Sequence, residues 1–134
     1  MAGRRFAIDA GVLLGIADGS IDVHPSHQLV APGSLRSQAL SQLYRAVRGG
    51  EIEAAVAREL LERLTEVKVR LLNDRVSRGV AWKIAEEQGW DDTADAEYAA
   101  ITRLQADAFV TRDVRRARRL EGIVPLADVA ALRG

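Results

Sequence analysis

Phe6-Ala7-Ile8-Asp9-Ala10-Gly11-Val12-Leu13-Leu14-Gly15-Ile16-Ala17 is the stretch that decides the fold. Phe6-Ala7-Ile8 is a run of apolar residues too short for a helix, which fits a buried strand. It stops at Asp9. The residues from Ala10 to Ala17 then read as a helix despite Gly11 and Gly15, and Asp18-Gly19-Ser20 closes that helix as a turn.

The alternation of strand and helix continues outward. Gln28-Leu29-Val30-Ala31 reads as a second strand, stopped by Pro32-Gly33, with Ser34 as the expected N-cap of the next helix. That helix carries Leu35, Ala39, Leu43, Ala46 and Val47 on one side and ends at Gly49-Gly50. Ile52, Val56, Leu60, Leu64 and Val67 predict a core-facing stripe on a following helix, the two forming an antiparallel hairpin. A third strand is expected over 67–72. Asp74 then caps a helix with Val76, Val80, Ala81 and Ile84, ended by Gly89. Asp91-Asp92-Thr93 is a cap cluster before a helix from Ala94 to Gln105. Ala108-Phe109-Val110-Thr111 is a fourth strand, the segment from Asp113 to Leu120 a short helix, and Ile123-Val124-Pro125-Leu126 a fifth strand that its proline assigns to an edge. A short helix ends the chain. The expectation is one α/β domain over residues 1–134, with a short, mostly parallel central sheet and helices on both faces.

Composition narrows the function classes. With 48% hydrophobic and 28% charged residues, the chain reads as an ordinary soluble globular domain, with disorder expected only in the first few and the last residues. Formal net charge is zero, which excludes a bulk polycation, so a nucleic-acid role needs local basic patches. Only Lys68 and Lys83 are lysines. The remaining basic side chains are arginines, whose planar fork suits phosphate and carboxylate, although a genome-composition bias yields the same excess. The absence of cysteine removes thiol catalysis, disulfides and cysteine-based zinc sites. No apolar run reaches membrane-spanning length and no signal-peptide core precedes Phe6, so a cytoplasmic protein with no membrane partner is expected.

In open parallel sheets, ligands bind beyond the carboxyl ends of the strands. Asp9 follows the first strand, Thr111-Arg112-Asp113 follow the fourth, and Asp95 lies in the first turn of the helix after Asp91-Asp92-Thr93. Singly, each acid is explained as a helix cap or as a charge at the positive end of a helix. Together they form three carboxylates at one sheet edge with no lysine among them. Such a cluster needs a positive charge, and hard oxygen ligands suit Mg²⁺ or Mn²⁺. The reaction that fits this set is metal-assisted phosphodiester hydrolysis, with the Thr111 hydroxyl orienting a ligand or a water.

Phe6-Ala7-Ile8-Asp9-Ala10 is similar to the opening strand and aspartate of PIN domains. Asp95-Ala96-Glu97-Tyr98-Ala99-Ala100 resembles the aspartate-alanine-x-tyrosine helix of VapC-type toxins, and Phe109-Val110-Thr111-Arg112-Asp113 resembles their late strand ending in threonine-x-aspartate. Order and spacing match over nearly the whole chain. The resemblance implies a small nuclease toxin that cuts RNA, forms a homodimer and is held inactive by a cognate antitoxin. It also implies a second acid on the helix after the second strand. The matching position here is Gln38, and no carboxylate occurs between Asp22 and Glu51 to replace it. Gln38 offers a neutral carbonyl oxygen to a cation or, equally, is a polar residue at a helix rim beside Gln42.

The expected catalytic set is therefore Asp9, Asp95 and Asp113, all three binding metal, with Gln38 and Thr111 assisting. Arg112, Arg115 and Arg116, within a basic run that extends to Arg118 and Arg119, are expected to hold RNA phosphates, joined by Arg36. The plain alternative for that run is a solvated helix face. Glu97 lies about 200° around the helix from Asp95 and is a doubtful accessory acid. His24 and His27 are expected at the surface, and Trp82 and Trp90 in packing. Two further readings compete. One is a catalytically weak PIN-like module that binds RNA or protein, because the second acid is missing. The other is a phosphorelay receiver, which the lack of any lysine after Lys83 disfavours.

Overall fold

A computed structural model describes residues 3–134; Met1 and Ala2, the first residues of the expected domain range, lie outside the described residues. The strands are β1 (Arg5–Ile8), β2 (Gln28–Pro32), β3 (Arg70–Leu72), β4 (Ala108–Val110) and β5 (Leu126–Ala127). The helices are α1 (Ala10–Ala17), α2 (Leu35–Arg48), α3 (Ala54–Glu66), α4 (Arg75–Gln88), α5 (Ala94–Gln105) and α6 (Val114–Leu120). A 3-10 turn at Val129–Arg133 closes the chain and buries Leu132.

All five strands are parallel, in the order β3-β2-β1-β4-β5. Successive side chains of β1 face opposite sides of the sheet, so both faces must be covered. Phe6 and Ile8 join a core with residues of α1, α2 and α3. Ala7 joins a second core with Phe109 of β4 and residues of α4, α5 and α6. The α/β class, the parallel sheet and the edge position of the fifth strand are as the sequence predicts.

Several local expectations are corrected. The third strand starts at Arg70 rather than Val67, whose carbonyl accepts from Arg36 Nη2 at 3.4 Å. The fifth strand begins at Leu126. Val124 is instead buried in the core, and the Pro125 carbonyl accepts from the Phe109 amide. On α3 the buried residues are Ala57 and Leu64, whereas Val56 is exposed. Four-residue steps drift by about 40° per step on a helix, so Val56 falls off the face that Leu64 shares with Ala57. Ser34 is not a side-chain cap: its backbone is already helical and its hydroxyl accepts from Gln38 Nε2 at 3.0 Å. Trp82 is not a packing residue, being 69% exposed.

Other termini follow the sequence. Asp74 accepts from the Ser77 amide at 2.9 Å, and hydrogen bonding by the Ser77 side chain, followed by that of its amide, holds the Asp74 carboxyl below the ordinary carboxylate value. Gly89 ends α4 with φ of 68°, a left-handed conformation that glycine adopts without strain.

Candidate functional site

Chain order makes the site. From β1 the chain steps outward to β2 and β3, then returns to place β4 on the other side of β1. The direction of winding therefore reverses between β1 and β4, and the crevice beyond their carboxyl ends is the expected ligand position. Asp9 follows β1 and Thr111 follows β4 there.

Asp9 is 2% exposed and caps α1, its Oδ1 accepting from the Val12 amide at 3.1 Å. Its Oδ2 accepts from the Thr111 hydroxyl at 2.5 Å and from Arg116 Nη1 at 2.8 Å. Asp95, in the first turn of α5, is 5% exposed. Its Oδ1 accepts from Arg116 Nε at 2.8 Å and its Oδ2 from Arg119 Nη1 at 2.6 Å. One guanidinium thus bridges the two buried carboxylates, and a second closes the remaining oxygen of Asp95.

Aromatic rings floor these cations. The Arg116 guanidinium carbon lies 4.8 Å from the centroid of Tyr98, and that of Arg119 lies 4.3 Å from the centroid of Trp90. Burial works against the Arg116 cation. The hydrogen bonds and charges of Asp95 and Asp9 outweigh it and raise its pKa further above the ordinary arginine value. Burial likewise raises the Tyr98 phenol, with Arg116 opposing and Asp9 adding to the shift, so Tyr98 stays a neutral donor. It donates its hydroxyl hydrogen to Gln38 Oε1.

The expected site residues therefore divide. Asp9, Asp95 and Thr111 are gathered. Asp113 is exposed and lies one step outside: its amide donates to the Thr111 hydroxyl at 3.0 Å, and its Oδ1 caps α6 by accepting from the Arg116 amide at 3.1 Å. Gln38 reaches the group through Tyr98. Among the described residues, no three acids or histidines are gathered as a metal-holding set. Arg112 and Arg115 are exposed, and Arg112 Nη2 donates to the Gly11 carbonyl at 2.9 Å. Gly15 makes room for this crossing: a Cβ there would meet Arg112 Nη2 at 2.9 Å and Ile21 Cδ1 at 2.5 Å. Arg116 turns inward to the carboxylates instead of outward to the rim. Arg36 is half-buried against the Val67 carbonyl and makes no hydrogen bond to the Asp9–Asp95 group. Glu97, half-buried and with its carboxyl pKa raised by burial, lines a separate small cleft with Asn73 and Arg78.

The inward roles of Arg116 and Arg119 and the place of Tyr98 beneath Arg116 are absent from the sequence expectation, in which Tyr98 stands only in the family motif and both arginines only in the basic run. Helical spacing carries no usable signal for the arginines: Arg119 lies about 40° around α6 from Arg115 and about 60° from Arg116, so spacing alone does not separate inward from outward side chains.

Two buried carboxylates and a hydroxyl are hard ligands of the right chemistry for a divalent ion. Every carboxylate oxygen of Asp9 and Asp95, however, already accepts a hydrogen bond, and Arg116 and Arg119 balance the two negative charges. With Arg116 in place, the residues do not fit a divalent ion.

No family model matches the chain, and no curated protein matches it. Solved structures do. PAE2754 from Pyrobaculum aerophilum aligns with a TM-score of 0.70 at 24% identity, covering 97% of this chain and 93% of that one. VapBC-1 from nontypeable Haemophilus influenzae aligns with a TM-score of 0.58 at 16% identity, covering 94% of this chain and 98% of that one. With its sheet order and these likenesses, the chain has the PIN-like fold that its sequence resembles.

Proposed function

We propose that this chain is an RNA-binding domain of the PIN toxin type, paired with a cognate antitoxin protein, whose carboxylate site cleaves RNA weakly or not at all while Arg116 occupies it. The observation that carries this reading is the Arg116 bridge between Asp9 and Asp95, 2.8 Å to each. RNA binding is supported by Arg112, Arg115 and Arg118, all exposed on the segment that leaves β4 beside the crevice. An antitoxin partner is supported by the structural likeness to VapBC-1 and by Leu40 and Tyr44, apolar side chains exposed one turn apart on α2. A homodimer and a cytoplasmic setting go with the same reading. Among the described residues, no helix is long and apolar enough to cross a membrane.

A second reading is favoured by the gathering of Asp9, Asp95 and Thr111 at the β1–β4 crevice. It is a metal-dependent endoribonuclease in which Mg²⁺ or Mn²⁺ on Asp9 and Asp95, with Asp113 beside them, supplies Lewis-acid chemistry and Gln38 and Thr111 assist.

RNA binding and RNA cleavage, measured on the same samples with Mg²⁺ or Mn²⁺, separate the two. The first reading expects RNA to be retained, with cleavage by wild type no faster than by Asp9→Asn or Asp113→Asn. Metal-dependent cleavage that both substitutions abolish supports the second reading and rejects the first.

A further inference from the structure

Two carboxylates as buried as Asp9 and Asp95 are costly unless a positive charge lies between them. The pattern of acids at the strand ends predicts that this charge is a metal ion, but the chain puts its own cation there. Arg116 suits the place because a guanidinium has donors on more than one edge and can bridge two carboxylates, which a lysine ammonium does less well. Its fork is fixed from several sides. Asp113 caps its backbone amide at 3.1 Å, Tyr98 lies beneath its plane, and the side chain is only 17% exposed. Arg119 neutralises the second oxygen of Asp95, which leaves no net charge for a further cation to balance.

We infer that Arg116 is a tethered counter-ion that closes the Asp9–Asp95 pair, so that Arg116 and a small hard divalent cation are alternative occupants of one position. The inference rests on the reading above that the pair is closed in the resting chain. Removing the guanidinium leaves two carboxylates and Arg119, a net negative pocket with freed oxygen ligands at the crevice between β1 and β4. The pocket then has the charge and ligand type that Mg²⁺ or Mn²⁺ requires. The basic run on α6 thus has two roles, with Arg115 and Arg118 facing solvent and Arg116 turned in as the plug.

The test is Mn²⁺ binding to the full chain without RNA, followed by the electron paramagnetic resonance signal of free Mn²⁺ and by the melting temperature. Wild type is expected to show no saturable binding at millimolar Mn²⁺. Arg116→Met keeps an apolar stem over Tyr98 and removes the charge. It is expected to bind Mn²⁺ at least about tenfold more tightly, equivalent to about 1.4 kcal/mol, to melt at higher temperature when Mn²⁺ is added, and to lose both effects when combined with Asp9→Asn. If Arg116→Met does not fold, Arg116→Lys replaces it, with a smaller but measurable gain expected because one ammonium bridges the pair poorly. Equal Mn²⁺ binding by wild type and the folded variant overturns the inference, as does a folded variant that binds none. A variant that binds no Mn²⁺ while wild type still holds RNA without cleaving it removes the plug but leaves the binding-domain reading standing. Metal-dependent wild-type cleavage of RNA that Asp9→Asn and Asp113→Asn both abolish would reject that reading separately.

Discussion

Tyr98 donates its buried hydroxyl to Gln38 Oε1, sixty residues away in the chain, and in doing so joins α5 to α2 beneath Arg116. Gln38 stands where the family resemblance leads one to expect an acid, and its amide is engaged at both ends, since Nε2 also donates to Ser34 Oγ at 3.0 Å. A glutamate at 38 keeps the Tyr98 bond and makes it charge-assisted, while adding a negative charge near the Asp9–Asp95 pair. Gln38→Glu is expected to tighten Mn²⁺ binding several-fold, most clearly in the Arg116→Met background. Unchanged titrations would place Gln38 outside the site.

Asp95 anchors two arginines and Asp9 anchors one. Asp95→Ala leaves both Arg116 Nε and Arg119 without a carboxylate in a largely dry pocket, and is expected to cost about 3–5 kcal/mol in urea unfolding. Asp9→Asn keeps an oxygen for the Val12 amide, while its amide nitrogen takes the place of the oxygen that accepts from Thr111 and Arg116 and donates to the Thr111 hydroxyl instead; it should cost about 1–3 kcal/mol. A ranking in the opposite order would contradict the two-arginine arrangement on Asp95.

The exposed arginines are expected to act on RNA through charge alone. Each of Arg115→Ala and Arg118→Ala should lower the salt-dependence slope of RNA binding by about 1 and weaken binding to all sequences alike. Arg112→Ala should do the same while also losing the hydrogen bond to Gly11. Slopes that do not move would make the basic run a solvated helix face only.

Burial raises the Glu97 carboxyl above the ordinary glutamate value. A raised pKa means the folded chain holds that proton more tightly than the unfolded chain. Its stabilising share is therefore complete in acid below the ordinary value and is lost as pH rises through the folded value. Glu97→Gln should accordingly be slightly the more stable protein at neutral pH, by no more than about 0.5 kcal/mol because the group is partly in water. The advantage should shrink on acidification. Thermal melts of both proteins across the acid range read the difference directly.

The α/β fold was legible from Phe6-Ala7-Ile8-Asp9 onward because a doubly buried strand leaves a short apolar run and because acids at strand ends mark the sheet's carboxyl edge. Asp9 and Asp95 were legible as a pair for the same reason. Their partner was not. In a basic run, sequence alone does not separate the inward Arg116 and Arg119 from the outward Arg115 and Arg118, because only the packing of α6 on α5 sets which side faces the carboxylates. Trp82 departs from expectation for the converse reason: tryptophan usually packs, but this one lies exposed on α4. Cap and site readings of Asp9 also proved compatible, since its two oxygens serve different partners.

The bridge itself is most directly tested by the Arg116 Nε–Hε resonance in a ¹H–¹⁵N spectrum, assigned by its loss in Arg116→Lys. A slowly exchanging signal that persists in millimolar Mg²⁺ and is lost in Asp95→Asn is expected. A signal that exchanges as fast as those of Arg115 and Arg118, or that disappears when Mg²⁺ is added to wild type, would contradict a carboxylate pair closed by its own arginine.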